Sequence, residues 1–356
     1  MTLARELADT AGRPQVDKNL LINGGMNVWQ RSTSASVSTD TYSTVDRWKT
    51  RVGNQGAFTV SRSTDVPSAQ GFGYSTKWDC TTADASPAAS DFIVFEQRIE
   101  GQNLQHLLKG TSSAKAVTIS FWIKTNKTGT YICELLDFDN SRNISKSFTI
   151  SSSSTWEKIT LTYDGDTSGA IGNDNGFSFA VMIWLGAGSD FTTGTLQTSW
   201  GTVGTNRATG VVNLADSTSN ELYITGCQLE VGEAATDFQF EPYSVTENKC
   251  IRYFYAHQFG AQEFIYNESA TNTSKWVQVY FPVKLRASSG SMTLSSGMTG
   301  GAVNGLSGTV SNVTLQTLAP TKVSLRITMS TNSGTARAMY HCDTFNGDFA
   351  YFDTEL

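Results

Sequence analysis

Short runs of alternating apolar and polar residues recur along most of this 356-residue chain, and they constrain its fold more than any other feature. In residues 116–124, for example, the apolar positions are Val117, Ile119, Phe121 and Ile123. Alternation with period two indicates a half-buried strand, because successive side chains of a strand point to opposite faces. Many such runs with Gly, Asn and Ser between them predict an all-β fold built as a sandwich.

The first part of the chain is predicted to be one jelly-roll β-sandwich over residues 20–242, similar in kind to a carbohydrate-binding module. The predicted strands are residues 20–30, 46–52, 57–61, 73–80, 92–99, 116–124, 130–138, 146–151, 157–163, 177–185 and 221–230. Residues 103–109 can form one or two helical turns. The loop 186–210 is rich in Gly and Thr, and loops of that length are usually functional or mobile.

A boundary between two domains is predicted within residues 221–254. Pro242 cannot donate a hydrogen bond to a central strand, so it marks an edge or an exit. Ser244 stands three residues before Glu247, which is the spacing of a helix capping box. Apolar residues resume at Cys250. We therefore predict a last strand, a short helix and then the first strand of a second domain.

The second domain, residues 243–356, is predicted to be a smaller β-sandwich. Its predicted strands are residues 250–258, 263–267, 275–284, 291–295, 309–315, 323–329, 336–345 and 348–353. The last two are separated by Asn346 and Gly347. This dipeptide predicts a hairpin, because a type I′ turn needs positive φ at both central positions.

The first 19 residues are predicted to anchor the chain. Leu3 and Leu7 fall on one face of a short helix that Gly12 and Pro14 would end. A lone helix of this length is marginal in water, so it needs to dock on copies of itself or on another protein. A frayed tail is the alternative.

Composition argues against several classes of function. Lys and Arg number 26 against 32 Asp and Glu, and the pI is about 5.2, so a nucleic-acid partner is not expected. The sequence has neither a long apolar span nor a signal peptide, which predicts no membrane insertion. Five widely spaced cysteines predict buried free thiols rather than disulfides or a zinc site.

Two groups of runs stand out at the ends of the first domain. One group comprises QLEVG at 228–232, ATDF at 235–238, Pro242, Tyr243, Glu247 and CIRYF at 250–254. The other comprises MTLARELAD at 1–9 and NLLINGGMNVWQR at 19–31. Together these runs resemble the tail-fibre and receptor-binding proteins of tailed bacteriophages, and residues 19–31 are similar to their opening strand.

The resemblance implies a structural, non-enzymatic virion protein that forms a homotrimer and contacts the host surface. Its partners would be tail or adaptor proteins at the N-terminus and a host polysaccharide or lipopolysaccharide elsewhere. It would be made in the host cytoplasm and end up on the exterior of the virion. The alternatives are a head fibre, capsid decoration or tail adaptor that binds no receptor, an envelope-polysaccharide depolymerase, and a cellular carbohydrate-binding module.

Two tryptophans of the first domain are candidate glycan-binding residues. Trp122 and Trp184 fall between the apolar positions of their strands, so each is predicted on the face away from the core. A flat aromatic ring there can stack on the apolar face of a sugar. The alternative is burial beneath a loop, a sheet or a neighbouring subunit.

A second candidate surface lies in the second domain. The alternation places its aromatic and polar residues on two strand faces: Tyr253, Tyr255 and His257 on one, Trp276, Gln278 and Tyr280 on the other. Rings with polar edges suit glycan or protein recognition. A packing surface between subunits is the alternative.

Neither a metal, a cofactor nor a catalytic centre is predicted. Asp164 and Asp166 begin like a calcium loop, but Asn175 occupies the position of the bidentate Glu. Asp137 and Asp139 share one face at a strand end, where they could ligate an ion or act as a carboxylate pair, but surface turn residues are the preferred interpretation. The three histidines lie in no recognised catalytic frame, and no spacing singles out a pair of carboxylates.

Overall fold

Strands dominate the computed structural model, which describes residues 18–258, 264–267, 274–287, 290–294, 310–329, 338–341 and 349–356. The predicted all-β fold class is confirmed. The chain divides into two units, Met1–Glu241 and Pro242–Leu356. Over the described ranges, neither α-helix has the length and apolar character needed to cross a membrane.

The first unit is a sandwich of two six-stranded antiparallel sheets. The front sheet contains, in spatial order, β1 (Ser34–Val37), β3 (Ala57–Ser63), β4 (Ser75–Thr82), β12 (Glu221–Val231), β6 (Val117–Thr125) and β9 (Glu157–Tyr163). The back sheet contains β11 (Gly201–Thr202), β8 (Arg142–Ile150), β7 (Gly129–Asp137), β10 (Phe177–Ala187), β5 (Phe92–Glu100) and β2 (Lys49–Gly53).

The core lies between these sheets. The predicted inward set of β6 is buried as expected, and the alternate residues of the facing strands join it. Rings bridge the two layers: Trp78 of β4 meets Phe95 of β5 edge-on at 5.7 Å between centroids, and Trp48 stacks on Phe95 at 4.6 Å. Burying each such side chain contributes roughly 1.5–3 kcal/mol.

The outer face of the back sheet is covered by the loop between β10 and β12. This loop contains a single helical turn, α1 (Ser189–Thr192). Its apolar residues pack on Val94, Ile132 and Met182. Strand β10 is therefore buried on both faces, which explains its almost unbroken apolar sequence. The loop whose length predicts a functional or mobile segment thus packs part of its apolar residues on the sheet.

Residues 20–30 do not form the predicted opening strand. They make a series of turns in which Asn23 and Met26 adopt positive φ, 58° and 54°. The Asn23 side chain accepts from the amides of Asn27 and Val28 and donates to the carbonyls of Val28 and Asp46. Side-chain bonds of this kind compete with strand pairing, so the alternation did not decide the local structure.

Four cysteines of the described residues, Cys80, Cys133, Cys227 and Cys250, are free and buried, as predicted. Burial raises the pKa of the Cys133 thiol to about 12, so it is not a reactive nucleophile.

The second unit begins with the helix α2 (Tyr243–Ile251) and continues in two sheets. The smaller sheet contains β13 (Phe254–Gln258), β20 (Phe349–Asp353) and β16 (Ser291–Leu294). The larger sheet contains β17 (Val310–Ala319), β18 (Lys322–Met329), β15 (Ser274–Tyr280), β14 (Phe264–Asn267) and β19 (Ala338–His341). A separate apolar core that includes Val279, Leu325 and Phe352 holds it together.

Three local predictions in this unit are wrong. Cys250 and Ile251 end the helix instead of starting a strand. Ser244 lies inside α2, and Pro242 occupies the N-cap position without any side-chain cap. The two strands predicted to form the last hairpin do not pair with each other either, since β19 pairs with β14 whereas β20 pairs with β13 and β16; Asn346 and Gly347 themselves lie outside the described residues.

A buried ionic network explains the acidic residues that begin like a calcium loop. Asp166 accepts two hydrogen bonds from Arg142, at 2.8 and 2.9 Å, and its carboxylate lies 2.9 Å from Lys109 Nζ. Lys109 also pairs with buried Asp137. The Asp166 oxygens are thus engaged by cations. Burial opposes ionisation of Asp166, but bonds from Arg142 and Lys109 outweigh it and lower its pKa.

We expect Asp166→Asn to destabilise the first unit by about 3 kcal/mol at neutral pH, because it removes the carboxylate that pairs with Arg142 and one of the two carboxylates that pair with Lys109. The folded pKa of Asp166 is depressed, so its contribution is present above the unfolded value of about 3.9 and is lost as pH falls through the folded value. Urea unfolding followed by tryptophan fluorescence measures this, since seven of the eight tryptophans precede residue 242.

The exposed Asp190→Asn change is the control and should alter stability by less than about 0.5 kcal/mol. A difference between Asp166→Asn and the unchanged protein that persists undiminished at low pH would contradict the role given to Asp166.

Candidate functional site

A groove of about 380 Å³ lies on the outer face of the front sheet. Unlike the outer face of the back sheet, this face has no packed loop over the groove among the residues that the structure describes. The lining residues come from three strands and two loops: Ala69, Gln70, Phe72, Ser120, Trp122, Lys158, Gly226, Asp237, Phe238 and Phe240.

The floor of the groove is the pleated surface of three neighbouring strands. Trp122 of β6 lies directly across from Lys158 of β9 on one side and Thr225 of β12 on the other. Its neighbours along the strand, Phe121 and Ile123, point into the core. Alternation therefore puts the Trp122 ring on the groove side, where it is half-buried.

A bulge in β12 makes room for the ring of Phe72, which forms part of one wall of the groove. The register between β12 and β6 shifts between Thr225 and Gln228, and Gly226 adopts a positive φ of 65°. A Cβ at Gly226 would lie 2.6 Å from the ring of Phe72. Only glycine therefore allows the ring this close to the sheet.

Three phenylalanines form one aromatic wall. The Phe72 ring lies 5.0 Å from Phe238 and 5.2 Å from Phe240, and the latter two are 4.9 Å apart. These distances suit edge-to-face packing. The wall is only partly covered, because 54% of Phe240 is exposed.

A hydrogen-bonded latch holds the segment that carries Phe238 and Phe240. Buried Glu230 accepts from the Thr236 amide and hydroxyl, both at 2.8 Å. Buried Gln228 donates to Glu230 at 3.0 Å and to the Asp237 carbonyl at 3.2 Å, and it accepts from the Gln239 amide at 2.8 Å. The runs QLEVG and ATDF thus supply the two halves of one latch.

The front run NLLINGG completes the same support. The Asn19 carbonyl oxygen of the side chain accepts from the Leu229 amide at 3.0 Å, and its amide donates to the Cys227 carbonyl at 3.0 Å. The Gln239 side chain accepts from the backbone amides of Lys18 and Asn19. A Cβ at Gly24 would lie 1.9 Å from the Cys227 oxygen, so glycine is required there.

Four polar side chains that line the groove form no hydrogen bond or ion pair with one another. Gln70, Ser120, Lys158 and Asp237 make no side-chain hydrogen bond or ion pair within the ranges described above. Most other charged groups on this face are paired. The groove therefore offers an amide, a hydroxyl, a cation and a carboxylate beside aromatic rings, and all four are available to a ligand.

A row of charged and aromatic residues borders the groove. Lys124 of β6 lies across from Tyr223 of β12, and Tyr223 lies across from Lys77 of β4. Lys124 Nζ sits 4.5 Å from the Tyr223 ring centroid and 5.9 Å from that of Trp156. Desolvation raises the pKa of Tyr223, and the nearby Glu221 adds to the effect, so its hydroxyl stays protonated.

Asp65 connects the loop of residues 64–74, which lines part of the groove, to this row of charged and aromatic residues. It pairs with Lys124 and accepts from the Trp156 indole at 2.9 Å. Burial opposes its ionisation, but these two hydrogen bonds prevail and lower its pKa. The loop that presents Gln70 and Phe72 is thus fixed at its start by Asp65 and at its end by the Thr225 hydroxyl, which donates to the Tyr74 carbonyl at 2.7 Å.

The predicted tryptophans have different surroundings. Trp122 lines the groove, whereas Trp184 is only 1% exposed and the prediction that its ring is accessible is wrong. Trp184 does face away from the core, but Phe191 of the covering loop packs on it. Its indole donates to buried Glu134 at 2.8 Å, and Arg207 lies over its ring.

The described candidates in the second unit come from two different sheets, with Tyr255 and His257 in β13 and Gln278 and Tyr280 in β15. Tyr253 is only 1% exposed, so it is not available as a contact residue. The Tyr255 hydroxyl lies 3.3 Å from His257 Nδ1, while the Tyr280 hydroxyl donates to Gln278 at 2.9 Å. Tyr280 is 66% exposed. The side chain of Trp276 and the anchor residues Leu3 and Leu7 lie outside the described parts.

Sequence reasoning missed the aromatic wall. The alternation of Phe238 and Phe240 in the sequence is typical of a strand, and no strand pattern singles out Phe72. The usable signal was Phe72 between Gly71 and Gly73, together with two phenylalanines directly after the ATDF run. Their meeting depends on the bulge and the latch, which join parts of the chain more than 150 residues apart.

Comparisons with known proteins give no family. No family model matches the sequence, and no curated protein matches it. Among solved structures, the chain is similar to the enzymatically active domain of tailspike protein 4 of bacteriophage CBA120, with 13% identity and a TM-score of 0.32. The match covers 60% of this chain and 22% of that one.

Two carbohydrate-binding modules are similar at the same level. They are the CBM22-1 xylan-binding domain of Paenibacillus barcinonensis Xyn10C (11% identity, TM-score 0.27, covering 57% and 94% of the two chains) and a family 11 module of a Clostridium thermocellum cellulosomal cellulase (11%, 0.28, 58% and 100%). We therefore argue function from the groove itself.

We expect Glu230→Ala to release the segment that holds Phe238 and Phe240. The change leaves the Thr236 amide without its acceptor and removes one of the acceptors of the Gln228 side chain, which costs about 2 kcal/mol. Hydrogen exchange should show faster exchange of the Thr236 and Gln239 amides, and urea unfolding should show the lower stability.

Glu233→Ala is the matched control, because Glu233 is exposed and lies in the same turn. If Glu230→Ala left both amides as protected as Glu233→Ala does, the latch would not be what holds the wall.

Proposed function

We propose that this protein is a non-enzymatic glycan-binding protein of a tailed bacteriophage virion, and that the groove on the front sheet is its binding site. In this proposal it is a homotrimeric tail fibre or similar appendage on the outside of the particle. Its N-terminal segment attaches to other virion proteins, and its groove contacts a polysaccharide or lipopolysaccharide of the host.

One observation carries the proposal of glycan binding: aromatic rings and unsatisfied polar side chains meet in one groove. A sugar has an apolar C–H face that packs on rings such as Trp122 and Phe240, and hydroxyl groups around its edge. Gln70 and Ser120 can donate or accept, Lys158 donates and Asp237 accepts, so the edge hydroxyls find partners of both kinds. Binding sites commonly combine an apolar surface with a few placed polar groups in this way.

The lining of the groove also favours binding over hydrolysis. Glycoside hydrolysis ordinarily uses two carboxyl groups on either side of the scissile bond. Among the described residues, Asp237 is the only acid that lines the groove. A ligand held there would meet one carboxylate and would be bound intact.

The virion setting rests on the resemblance of the runs QLEVG, ATDF and NLLINGG to tail-fibre proteins. In this chain those runs form the latch and its support, which hold the segment that carries Phe238 and Phe240. The residues that carry the resemblance therefore also position one wall of the proposed site. A shallow groove of this size binds a sugar weakly. Three copies on one appendage, and many appendages on one particle, would raise avidity steeply.

Trp122→Ala should weaken glycan binding by about 2 kcal/mol, or roughly thirtyfold in Kd, because it removes the ring on the groove floor. Binding is measured with the full chain on an array of bacterial envelope polysaccharides and lipopolysaccharides, and by calorimetry on the glycans that bind. Tyr280→Ala removes a more exposed ring from the second unit and should leave binding unchanged.

The reverse pattern, with Tyr280→Ala abolishing binding and Trp122→Ala tolerated, would move the site to the second unit. No binding to any envelope glycan would refute the proposed function. Release of oligosaccharides during incubation would show that the protein is an enzyme.

The trimer and the virion setting are tested separately. Sedimentation equilibrium should give a mass of three times the 38.6 kDa chain. An antibody to this chain should decorate appendages on the outside of intact phage particles in electron micrographs. A monomer in solution, or labelling confined to a head or to the interior of the particle, would contradict this part of the proposal.

A further inference from the structure

The row beside the groove continues the groove floor along β6. Trp122 and Lys124 are two residues apart on the same face of this strand, a separation of about 7 Å. Lys124 contacts Trp156, which immediately precedes β9 and whose ring is half-buried. A ligand lying along β6 therefore meets a second tryptophan one step beyond Trp122.

Trp156 is held in place before any ligand arrives. Its indole donates to Asp65, Lys124 Nζ lies over its ring, and the ring packs edge-on against Tyr223 at 6.3 Å. A ring fixed in this way loses little conformational entropy on binding, which is the property of a preformed contact. The part of the Trp156 ring that remains exposed can pack on a sugar.

The charges of this face are largely neutralised. Lys124 pairs with Asp65, and Lys77 pairs with Glu221 at 3.0 Å and with Asp79 at 3.4 Å. Lys158 and Asp237 of the groove add one charge of each sign. Three lysines thus face four carboxylates, so a polyanionic ligand would find no excess of positive charge to attract it.

From the continued aromatic floor and this charge balance, we propose that the site takes an internal stretch of an uncharged saccharide chain of two or more sugar units. One unit packs on Trp122 between Lys158 and Asp237, and the next lies along β6 against Trp156. This inference rests on the proposed function and narrows it to a ligand class.

The role of Trp156 differs from that of Trp122 in a measurable way. Trp122 contributes to the affinity for every ligand, because it forms part of the groove floor. Trp156 acts only on ligands long enough to reach it. Its contribution therefore appears as a gain in affinity with chain length, and not in the binding of the shortest ligand.

The experiment uses bacterial envelope polysaccharides that are partially hydrolysed into ladders from single sugars to long oligosaccharides and sorted into uncharged and acidic sets. Calorimetry with the full chain should show that uncharged ladders bind, that affinity rises with length, and that salt has little effect. Trp156→Ala should lower affinity for the long members about tenfold and leave the shortest binding member unchanged. Trp156→Phe keeps a ring and should retain most of the gain.

Other outcomes overturn the inference. Binding confined to acidic glycans, or affinity that does not rise with length, would contradict the ligand class. If Trp156→Ala weakened short and long members equally, Trp156 would only position the loop through Asp65. All of these results leave the proposed glycan binding standing, whereas an absence of binding to every ladder would end the proposed function itself.

Discussion

The latch of Gln228, Glu230 and Thr236 is the interaction on which the functional face depends. Gln228 and Glu230 are buried, and a buried polar group without a partner costs about 1–3 kcal/mol. The bonds between them are therefore held firmly and specify one path for the chain after β12. That path places Phe238 and Phe240 beside Phe72. A simple continuation of strand β12 would not bring the three rings together.

The two outer faces of the sandwich show why the groove has its position. The back sheet has a long loop after β10, and its apolar residues bury Trp184 and Met182 beneath them. Glu134 is buried there too, but Arg207 and the Trp184 indole satisfy it. On the front sheet, Gln70, Ser120, Lys158 and Asp237 line the groove, and their side chains have no hydrogen-bond or ion-pair partner within the described part of the chain. One tryptophan consequently contributes to stability, while the other remains available to a ligand.

The alternation of apolar and polar residues predicted much of the fold. A strand with one buried face has apolar residues at every second position, and this pattern can be recognised without knowing which strand pairs with it. Strand β9 has the bounds expected from its alternation, and β6 buries its expected side chains. Two of the local differences share one cause. In residues 20–30 and at Phe238 and Phe240, side-chain hydrogen bonds from Asn23, Gln228 and Glu230 override an alternation that is present in the sequence.

By itself, the sequence determined the all-β class, the buried free thiols and the outward direction of Trp122 and Trp184, because these depend on composition and on the pleat of a single strand. Only the tertiary structure decided which of the two tryptophans is accessible, since that depends on a loop folding over one sheet. It also decided the partners of β19 and β20 and the meeting of Phe72 with Phe238. Such contacts join distant parts of the chain, and no local pattern encodes them.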